Sequence, residues 1–182
     1  MPRLPAHTLD SAPAQTRPTL EVLQRKVGKL LNIHAGMAHS PVVVQMYAAM
    51  QGVLTDHGSF DARTREAIAL AVANVDGCSY CQAAHTLSGK AAGLSESDTV
   101  KIRVGSPIGD DRLDTLMAVV REAAEGVGSV TDRAWRRALD AGWTDVELAE
   151  AFGHLAVNLF TNYFNHYAQT ELDLPEAPPL AG

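Results

Sequence analysis

The chain has 182 residues, of which 46% are hydrophobic and 20% are charged, and its formal net charge is −6. This composition is ordinary for a globular protein of one domain with a buried core. An acidic chain without a basic run has little to neutralise a phosphate backbone, so a nucleic-acid partner is not expected. Apolar stretches are interrupted well before the length that a bilayer requires, so no membrane-spanning helix is predicted. The N-terminus also lacks an apolar signal segment, which makes a cytoplasmic location the expectation.

The N-terminal third contains an arm followed by helices. Residues 1–18 hold four prolines and no periodicity, which predicts a flexible Pro-rich arm. Apolar residues recur at helical spacing over residues 20–31, and Gly36 follows, which predicts the first helix and its stop. Ser40 precedes a proline, the usual order of an N-cap and a first helical position. This pair predicts a second helix that runs to about Leu54.

A pair of helices is predicted around a break at residues 76–77. Asp61 can cap the first helix of the pair, whose apolar body precedes the break. The second helix is predicted to begin around Cys78 and to run to Ala92, with Gly93 as its C-terminal stop. The two cysteines of the chain therefore fall at or near a helix N-terminus.

The remaining part of the chain is also predicted to be helical. Three helices fit residues 95–142, and glycine-containing loops separate them. A capping box at residues 144–147 opens a long last helix that ends near Gln169. Residues 173–182 are rich in proline and are predicted to form an extended tail. With no period-two strand, the fold is predicted to be all-α: one bundle-like domain of about eight helices over residues 19–172.

The two cysteines lie in the segment GCSYCQAAH, and their spacing points to chemistry. A disulfide between Cys78 and Cys81 would close almost no loop, so it would stabilise the fold very little. On a helix, Cys78 and Cys81 are at i, i+3 while Cys81 and His85 are at i, i+4, so all three share one face. A helix N-terminus lowers the pKa of a thiol, and His85 can accept the thiol proton or pair with the thiolate.

Glu66 lies on the preceding helix and is expected to reach the same height as His85. If the two helices pack antiparallel, Glu66 lies roughly 15 Å back from the break and His85 roughly 12 Å beyond it, at 1.5 Å per residue. A carboxylate at that height can orient the imidazole or pass protons, directly or through one water. The predicted arrangement is a proton relay from Glu66 through His85 to a cysteine.

The order RE, eleven residues, then C-x-x-C-x-x-x-H resembles the alkylhydroperoxidase D-like branch of the carboxymuconolactone decarboxylase superfamily. The resemblance covers roughly residues 20–175 and includes the C-terminal segment TNYFNHYAQTELDLP. It implies an all-helical fold and a homo-oligomer, often a trimer or hexamer. It also implies thiol-dependent reduction of a hydroperoxide, with no bound cofactor or metal and with an external thiol or dithiol as the reductant.

The resemblance also implies a role for each residue of the motif. Cys81 becomes the peroxidatic thiol, Cys78 the resolving thiol, His85 the base and Glu66 the relay group. The best-studied peroxidase of the family has a histidine just before its second cysteine, where this chain has Tyr80. Tyrosine titrates near about pH 10 and cannot carry protons at neutral pH. The founding decarboxylases lack the dithiol, so its presence argues against lactone decarboxylation.

Other interpretations of the dithiol stay open at the level of the sequence. The same dithiol would serve a disulfide reductase or a redox sensor. A non-redox helical binding module would carry the cysteines as buried small hydrophobes, or as zinc ligands together with His85 and Glu66. A thioredoxin-like assignment would need a βαβ pattern, which is absent.

Further polar residues are candidates for the wall of a thiol pocket. Tyr80 is one of them. Asn158, Asn162 and His166 form a stripe at i, i+4 and i+8 on an otherwise apolar last helix, which is either a wet face, a pocket lining or a subunit contact. His154, on the same helix, is expected to be a hydrogen-bonded core residue. Three other histidines are expected to be solvated or bonded locally at helix ends or loops: His34, His39 and His57.

Overall fold

The structure, a computed structural model, describes residues 1–180, and this part of the chain contains nine α-helices and no strand. The prediction of an all-α fold is therefore confirmed. No helix within these residues is long and apolar enough to span a bilayer. The helices are α1 (Arg17–Val27), α2 (Asn32–Met37), α3 (Pro41–His57), α4 (Ala62–Val75), α5 (Ser79–Ala91), α6 (Glu96–Val104), α7 (Asp111–Glu125), α8 (Asp132–Asp140) and α9 (Asp145–Ala168).

Local capping signals set most helix starts where the sequence predicts them. The Asp61 carboxylate accepts the backbone N–H of Thr64 at 2.7 Å and begins α4. Ser95 and Asp98 form a reciprocal capping box at α6, and residues 144–147 form another at α9. These side chains satisfy N–H groups that the first turn of a helix leaves without intrahelical partners.

The first predicted helix is two helices, which explains why there are nine rather than about eight. Gly28 adopts a left-handed backbone with φ of +87°, and its N–H donates to the carbonyl of Gln24 at 2.7 Å. A left-handed residue closes a helix because the chain can no longer continue the ladder of hydrogen bonds. The chain then turns, and the short α2 ends at Met37.

Buried side chains form two clusters that meet at α4 and α9. The first, here called the main core, is apolar and is built by α4 and α6–α9; its members include Phe60, Ile68, Leu70, Leu116, Val120, Trp143 and Leu155. The second, here called the thiol-side core, is built by α1–α3, the end of α4 and the start of α5; its members include Leu20, Leu23, Leu31, Ile33, Met37, Val44, Cys78, Tyr80 and Cys81.

Both terminal segments contact the helical body. Ala12 is buried, and the backbone N–H of Arg3 donates to the carbonyl of Ala168 at 2.8 Å. At the other end, the described residues after α9 contain no helix and run past the thiol-side core, and Arg103 donates to the carbonyl of Pro178 at 2.7 Å. The flexibility of residues 1–18 and the division of the chain into arm, domain and tail stay predictions, and residues 181–182 of the tail lie outside the described residues.

Candidate redox site

The turn between α4 and α5 positions both cysteines. Gly77 has a φ of +64°, a left-handed conformation that side chains rarely adopt, and it allows the chain to reverse within two residues. The backbone N–H of Cys78 donates to the carbonyl of Ala73 at 2.9 Å, which fastens the turn to the end of α4. Cys78 is thereby the N-cap of α5, and the two helices run antiparallel.

The two thiols are buried, are not joined by a disulfide and share one amide donor. Sγ of Cys78 accepts the backbone N–H of Cys81 at 3.3 Å, as an N-cap side chain does. Nδ2 of Asn165, from α9, donates to Sγ of Cys81 at 3.2 Å and lies 3.8 Å from Sγ of Cys78. A buried sulfur that carries negative charge is stabilised by such donors.

The hydrogen bonds between the two cysteines favour the thiolate at Cys78 over the thiolate at Cys81. The hydrogen bond from the Cys81 thiol lowers the pKa of Cys78, and burial opposes this effect. The Cys81 backbone N–H adds a further lowering, so that the pKa of Cys78 is about 7. The pKa of Cys81 is raised, because its thiol donates to Cys78, because it is buried and because the Cys78 charge is close. In the state of the dithiol that holds a single proton, that proton is therefore on Cys81.

Glu66 and His85 face each other across α4 and α5. Oε2 of Glu66 is 2.8 Å from Nδ1 of His85. Burial acts to lower the pKa of His85, but the charge and hydrogen bond of Glu66 outweigh it, so that pKa is raised. When Nδ1–H donates to Glu66, Nε2 of the neutral ring is the atom that can accept a proton.

A cavity of about 190 Å³ lies beside this pair. Cys81 and His85 both line it, whereas Cys78 does not. No hydrogen bond joins His85 to either thiol within residues 1–180, so a proton that moves between them passes through the cavity. The rest of the wall is aromatic, apolar or neutral polar and includes Val27, Leu31, Ile33, His34, Tyr47, Tyr80, Leu87, Asn158, Thr161 and Leu174.

Tyr80 lines the cavity, but the tail engages its hydroxyl. This hydroxyl donates to Oδ1 of Asp173 at 2.7 Å. Oδ2 of Asp173 is 3.2 Å from Nζ of Lys29 and accepts the backbone N–H of Asn32 at 3.4 Å. Burial, followed by the hydrogen bond to Asp173, raises the pKa of Tyr80, so the phenol stays protonated.

The predicted polar stripe of α9 is divided between two locations. Asn158 lines the cavity. Asn162 donates to Oδ2 of Asp76 at 2.7 Å, and Nε2 of His166 donates to the carbonyl of Asp76 at 2.9 Å. Asn162 and His166 therefore contact the α4–α5 turn and support the cysteines from behind.

The asparagine that contacts the sulfurs, Asn165, is absent from the sequence-based prediction. A signal for it exists, because Asn158, Asn162 and Asn165 are at i, i+4 and i+7 and so lie on one face of a helix. The i+8 position, His166, extends the stripe in sequence but lies further round the helix. The heptad spacing, rather than the run of polar residues, marks the buried face.

His34 is a second residue that the sequence misplaced. The expectation that it is solvated or bonded locally is wrong: it is 3% exposed, lines the thiol cavity and has its nearest polar partner on α3. Nε2 of its ring is 3.4 Å from the hydroxyl of Tyr47. His39 and His57 are exposed, as expected, and His154 is buried against Phe60. His34 gives no local signal because the short α2 is buried on almost every side.

The zinc interpretation requires that Cys78, Cys81, His85 and Glu66 surround one point. Within residues 1–180, no group of three or more histidine, cysteine, aspartate and glutamate side chains is arranged to hold a metal ion. Glu66 instead binds the ring of His85, and the sulfurs are bound by Asn165.

Comparison with known proteins agrees with the all-α fold. The sequence model of the carboxymuconolactone decarboxylase family matches residues 41–122, and no curated protein matches the chain. An uncharacterized peroxidase-related protein of Ralstonia eutropha JMP134, described as an alkylhydroperoxidase AhpD core, superposes with a TM-score of 0.83 at 18% identity, over 94% of this chain and 92% of that chain. A peroxidase-related protein of Silicibacter sp. TM1040 gives 0.76 at 19% identity, over 92% of this chain and 91% of that chain.

A third solved structure is that of a protein named as a debrominase rather than as a peroxidase. It is a cysteine-to-alanine variant of the debrominase Bmp8 in complex with 2,3,4-tribromopyrrole, with a TM-score of 0.79 at 13% identity, over 94% of this chain and 91% of that chain. Likeness at such identities shows a shared fold. The family match and this fold together confirm the resemblance to the alkylhydroperoxidase D-like branch of the carboxymuconolactone decarboxylase superfamily.

Proposed function

We propose that the protein is a thiol-dependent peroxidase that reduces small hydroperoxides with the Cys78/Cys81 dithiol. The observation that carries the proposal is that Cys81 opens onto a cavity whose wall also holds His85, and that a second sulfur lies directly behind it. A single reactive thiol would only bind or be oxidised. Two thiols at this spacing can complete a catalytic cycle.

In the first step, the sulfur of Cys81 attacks the terminal oxygen of the hydroperoxide R–O–OH. The O–O bond breaks, Cys81 becomes a sulfenic acid and RO⁻ leaves. The proton of the Cys81 thiol moves to Nε2 of His85, which Glu66 holds, and then to RO⁻ to give the alcohol ROH. Glu66 orients the ring and stabilises its transient positive charge.

In the second step, the Cys78 thiolate attacks the sulfenic sulfur of Cys81. The S–O bond breaks, the departing hydroxide takes one proton from solvent and leaves as water, and the Cys78–Cys81 disulfide forms. An external dithiol then gives two electrons and two protons to the disulfide and becomes a disulfide itself. This reductant is expected to be a separate partner.

The assignment of the attacking sulfur weighs two observations. The lowered pKa of Cys78 favours this residue as the thiolate. Contact with the cavity favours Cys81. Because a hydroperoxide must reach the sulfur before it can react, we assign the attack to Cys81. The proton of Cys81 then moves to His85, and Cys78 stays a thiolate for the second step.

The test is a single turnover of the reduced protein with one equivalent of an organic hydroperoxide. Wild type is expected to lose both free thiols and two hydrogen atoms of mass. Cys81→Ser is expected to stop peroxide consumption, whereas Cys78→Ser is expected to leave a sulfenic acid that dimedone traps. Full peroxide consumption by Cys81→Ser would contradict the assignment of Cys81 as the attacking thiol. If Cys78→Ser stops consumption and Cys81→Ser leaves a sulfenic acid, the two cysteines exchange roles. Thiols that survive peroxide in wild type would support a non-redox binding module instead.

Two competing functions use the same dithiol, and the same samples distinguish them. A disulfide reductase or redox sensor would consume peroxide slowly while its disulfide forms and exchanges readily. A reductive dehalogenase is worth testing because one protein of the same fold is a debrominase that binds a small bromopyrrole. Release of bromide from tribromopyrrole at a higher rate than peroxide consumption would replace the peroxidase proposal.

A further inference from the structure

The thiol cavity contains a buried hydrogen-bonding group that the chemistry above does not use. His34 is 3% exposed and lines the cavity, and its Nδ1 has no hydrogen-bond partner within residues 1–180. A buried polar atom without a partner is unfavourable in a folded protein unless a water or a ligand satisfies it. Nδ1 of His34 is therefore available to form a hydrogen bond with a water or a ligand in the cavity.

The hydroxyl of Tyr47 influences which nitrogen of the His34 ring carries the proton. Burial raises the pKa of Tyr47 to about 12, so the phenol keeps its proton. The Tyr47 O–H is then free to donate to Nε2 of His34, 3.4 Å away. In this arrangement, Nδ1 of His34 carries the ring proton and is a donor.

His34 is also neutral. Burial lowers the pKa of His34 to about 4, and the charge of Asp173 only partly opposes this. Asp173 itself is bound by Lys29 and by the hydroxyl of Tyr80. No lysine, arginine, aspartate or glutamate of the described chain lines the cavity, and His85 is bound to Glu66. A charged ligand would meet no opposite charge in this wall, so desolvation would oppose its entry.

Three other polar side chains of the wall, from α5 and α9, donate within the protein. The Tyr80 hydroxyl donates to Asp173. The Asn158 amide donates to the carbonyl of His154 at 2.8 Å, and the Thr161 hydroxyl donates to the carbonyl of Asn158 at 3.0 Å. Within residues 1–180, Nδ1 of His34 is the fully buried side-chain nitrogen or oxygen of this wall that has no hydrogen-bond partner. It is therefore the neutral group available to a ligand that lies beside Cys81.

We propose that His34, oriented by Tyr47, binds the oxygen end of the substrate, and that the cavity takes a small neutral hydroxyl or hydroperoxyl compound with an apolar body. This inference rests on the proposed peroxidase function and names the substrate class of that site. A cavity of about 150 Å³ accommodates benzene, so the volume of about 190 Å³ suits a body of one ring. Leu31, Ile33 and Leu174 supply apolar contacts for that body.

The experiment measures binding of benzyl alcohol, a neutral analogue of the alcohol product, by NMR titration of the reduced protein. Loss of one hydrogen bond in His34→Phe is expected to weaken binding roughly tenfold. His34→Gln, whose amide can donate, is expected to recover part of that loss. His57→Phe makes the same change at an exposed histidine and is expected to bind as wild type does. Benzoate, which has the same shape and a negative charge, is expected to bind far more weakly than the alcohol.

Kinetics with benzyl hydroperoxide give a second measurement. His34→Phe is expected to raise KM roughly tenfold with little change in kcat, because a uniform binding contact is lost. If His34→Phe does not fold, Tyr47→Phe is expected to weaken alcohol binding severalfold. The ¹⁵N resonances of the His34 ring in wild type are expected to shift when the alcohol is added.

Each outcome separates this inference from the proposed function. Equal alcohol affinity in wild type and folded His34→Phe overturns the role of His34, even when peroxide is consumed normally. Wild type that binds benzoate as well as benzyl alcohol, or neither, overturns the substrate class. Alcohol binding that depends on His34 in a protein that consumes no peroxide supports the site and contradicts the peroxidase.

Discussion

Each half of α9 buries one face, and the two buried faces have different roles. The first half faces the main core with apolar side chains such as Leu148 and Leu155. The second half presents Asn158, Asn162 and Asn165 to the thiol side, and all three are buried. Oδ1 of Asn162 and Oδ1 of Asn165 have no hydrogen-bond partner within residues 1–180. One continuous helix thus contributes packing at one end and amide donors at the other.

This difference shows how the fold holds a reactive dithiol in its interior. The apolar half of α9 stabilises the bundle by removing hydrocarbon from water. The amide half tolerates unsatisfied oxygens because its N–H groups stabilise negative charge on the sulfurs and fasten the α4–α5 turn. Substitutions at the two ends are therefore expected to affect different properties: stability at the main core, and thiol chemistry at the thiol side.

The largest expected effect is on rate and comes from His85→Ala. Removal of a proton-transfer group slows catalysis by roughly 10²–10⁴, and this loss should appear in the rate at which peroxide forms the disulfide, measured by stopped flow. Glu66→Gln keeps the shape of the carboxylate but not its charge, so it is expected to lower the pKa of His85 and to cause part of the same loss. His39→Ala is the control, and an unchanged rate in His85→Ala would remove His85 from the mechanism.

A reciprocal pair of substitutions in α9 tests the comparison directly. Leu155→Asn places an amide in the main core and is expected to lower the free energy of unfolding by about 3–5 kcal/mol, through lost packing and a buried unpaired group. Asn165→Leu is expected to change it by no more than about 1 kcal/mol, since an unsatisfied oxygen is removed with the donor. The same substitution is expected to slow disulfide formation several-fold. If urea unfolding shows that Asn165→Leu is the more destabilised variant, the assignment of stability to the apolar half of α9 is contradicted.

Titration of the dithiol gives a smaller and more specific effect. With the pKa of Cys78 near about 7, its thiolate fraction is expected to rise from about one-tenth at pH 6 to about nine-tenths at pH 8. Cys81→Ala removes the thiol donor and is expected to raise that pKa, whereas Cys81→Ser keeps a hydroxyl donor and is expected to raise it less. Ultraviolet absorbance of the thiolate against pH measures both, and equal values in the two variants would contradict the role of the shared hydrogen bond.

The smallest expected effect is an acid-dependent loss of stability at His34. The pKa of His34 falls from an ordinary 6.5 to about 4 in the folded protein, so below pH 6.5 the unfolded chain binds a proton that the folded protein does not. The stabilisation is complete above pH 6.5 and is lost as the pH falls towards 4, by about 2 kcal/mol between pH 7 and pH 5. Urea unfolding at pH 7 and pH 5 measures the loss of unfolding free energy on acidification. This loss is expected to be about 2 kcal/mol smaller in His34→Phe than in wild type. Equal losses in wild type and His34→Phe would show that protonation of another group causes the acid-dependent loss of stability.

Much of the fold and part of the site could be predicted because their signals are local. Caps such as Asp61 and the glycine-containing turns act within a few residues, so they can be recognised without the tertiary structure. The glycine at position 28 is a possible helix stop, but apolar residues continue at helical spacing on both sides of it. The sequence therefore predicts one helix where the structure has two. Glu66 and His85 could be paired because a tight turn between two helices leaves little freedom in their relative height.

The sequence by itself determined the dithiol, the base one turn along and the carboxylate beside it, since helical periodicity and one short turn control those distances. Only the tertiary structure decided which groups face them. His34 and Tyr47 come from α2 and α3, and Asn165 comes from the end of α9, more than eighty residues from Cys81. Packing of whole helices sets those contacts, and the helical pattern of a single segment does not encode which partner its polar face will meet.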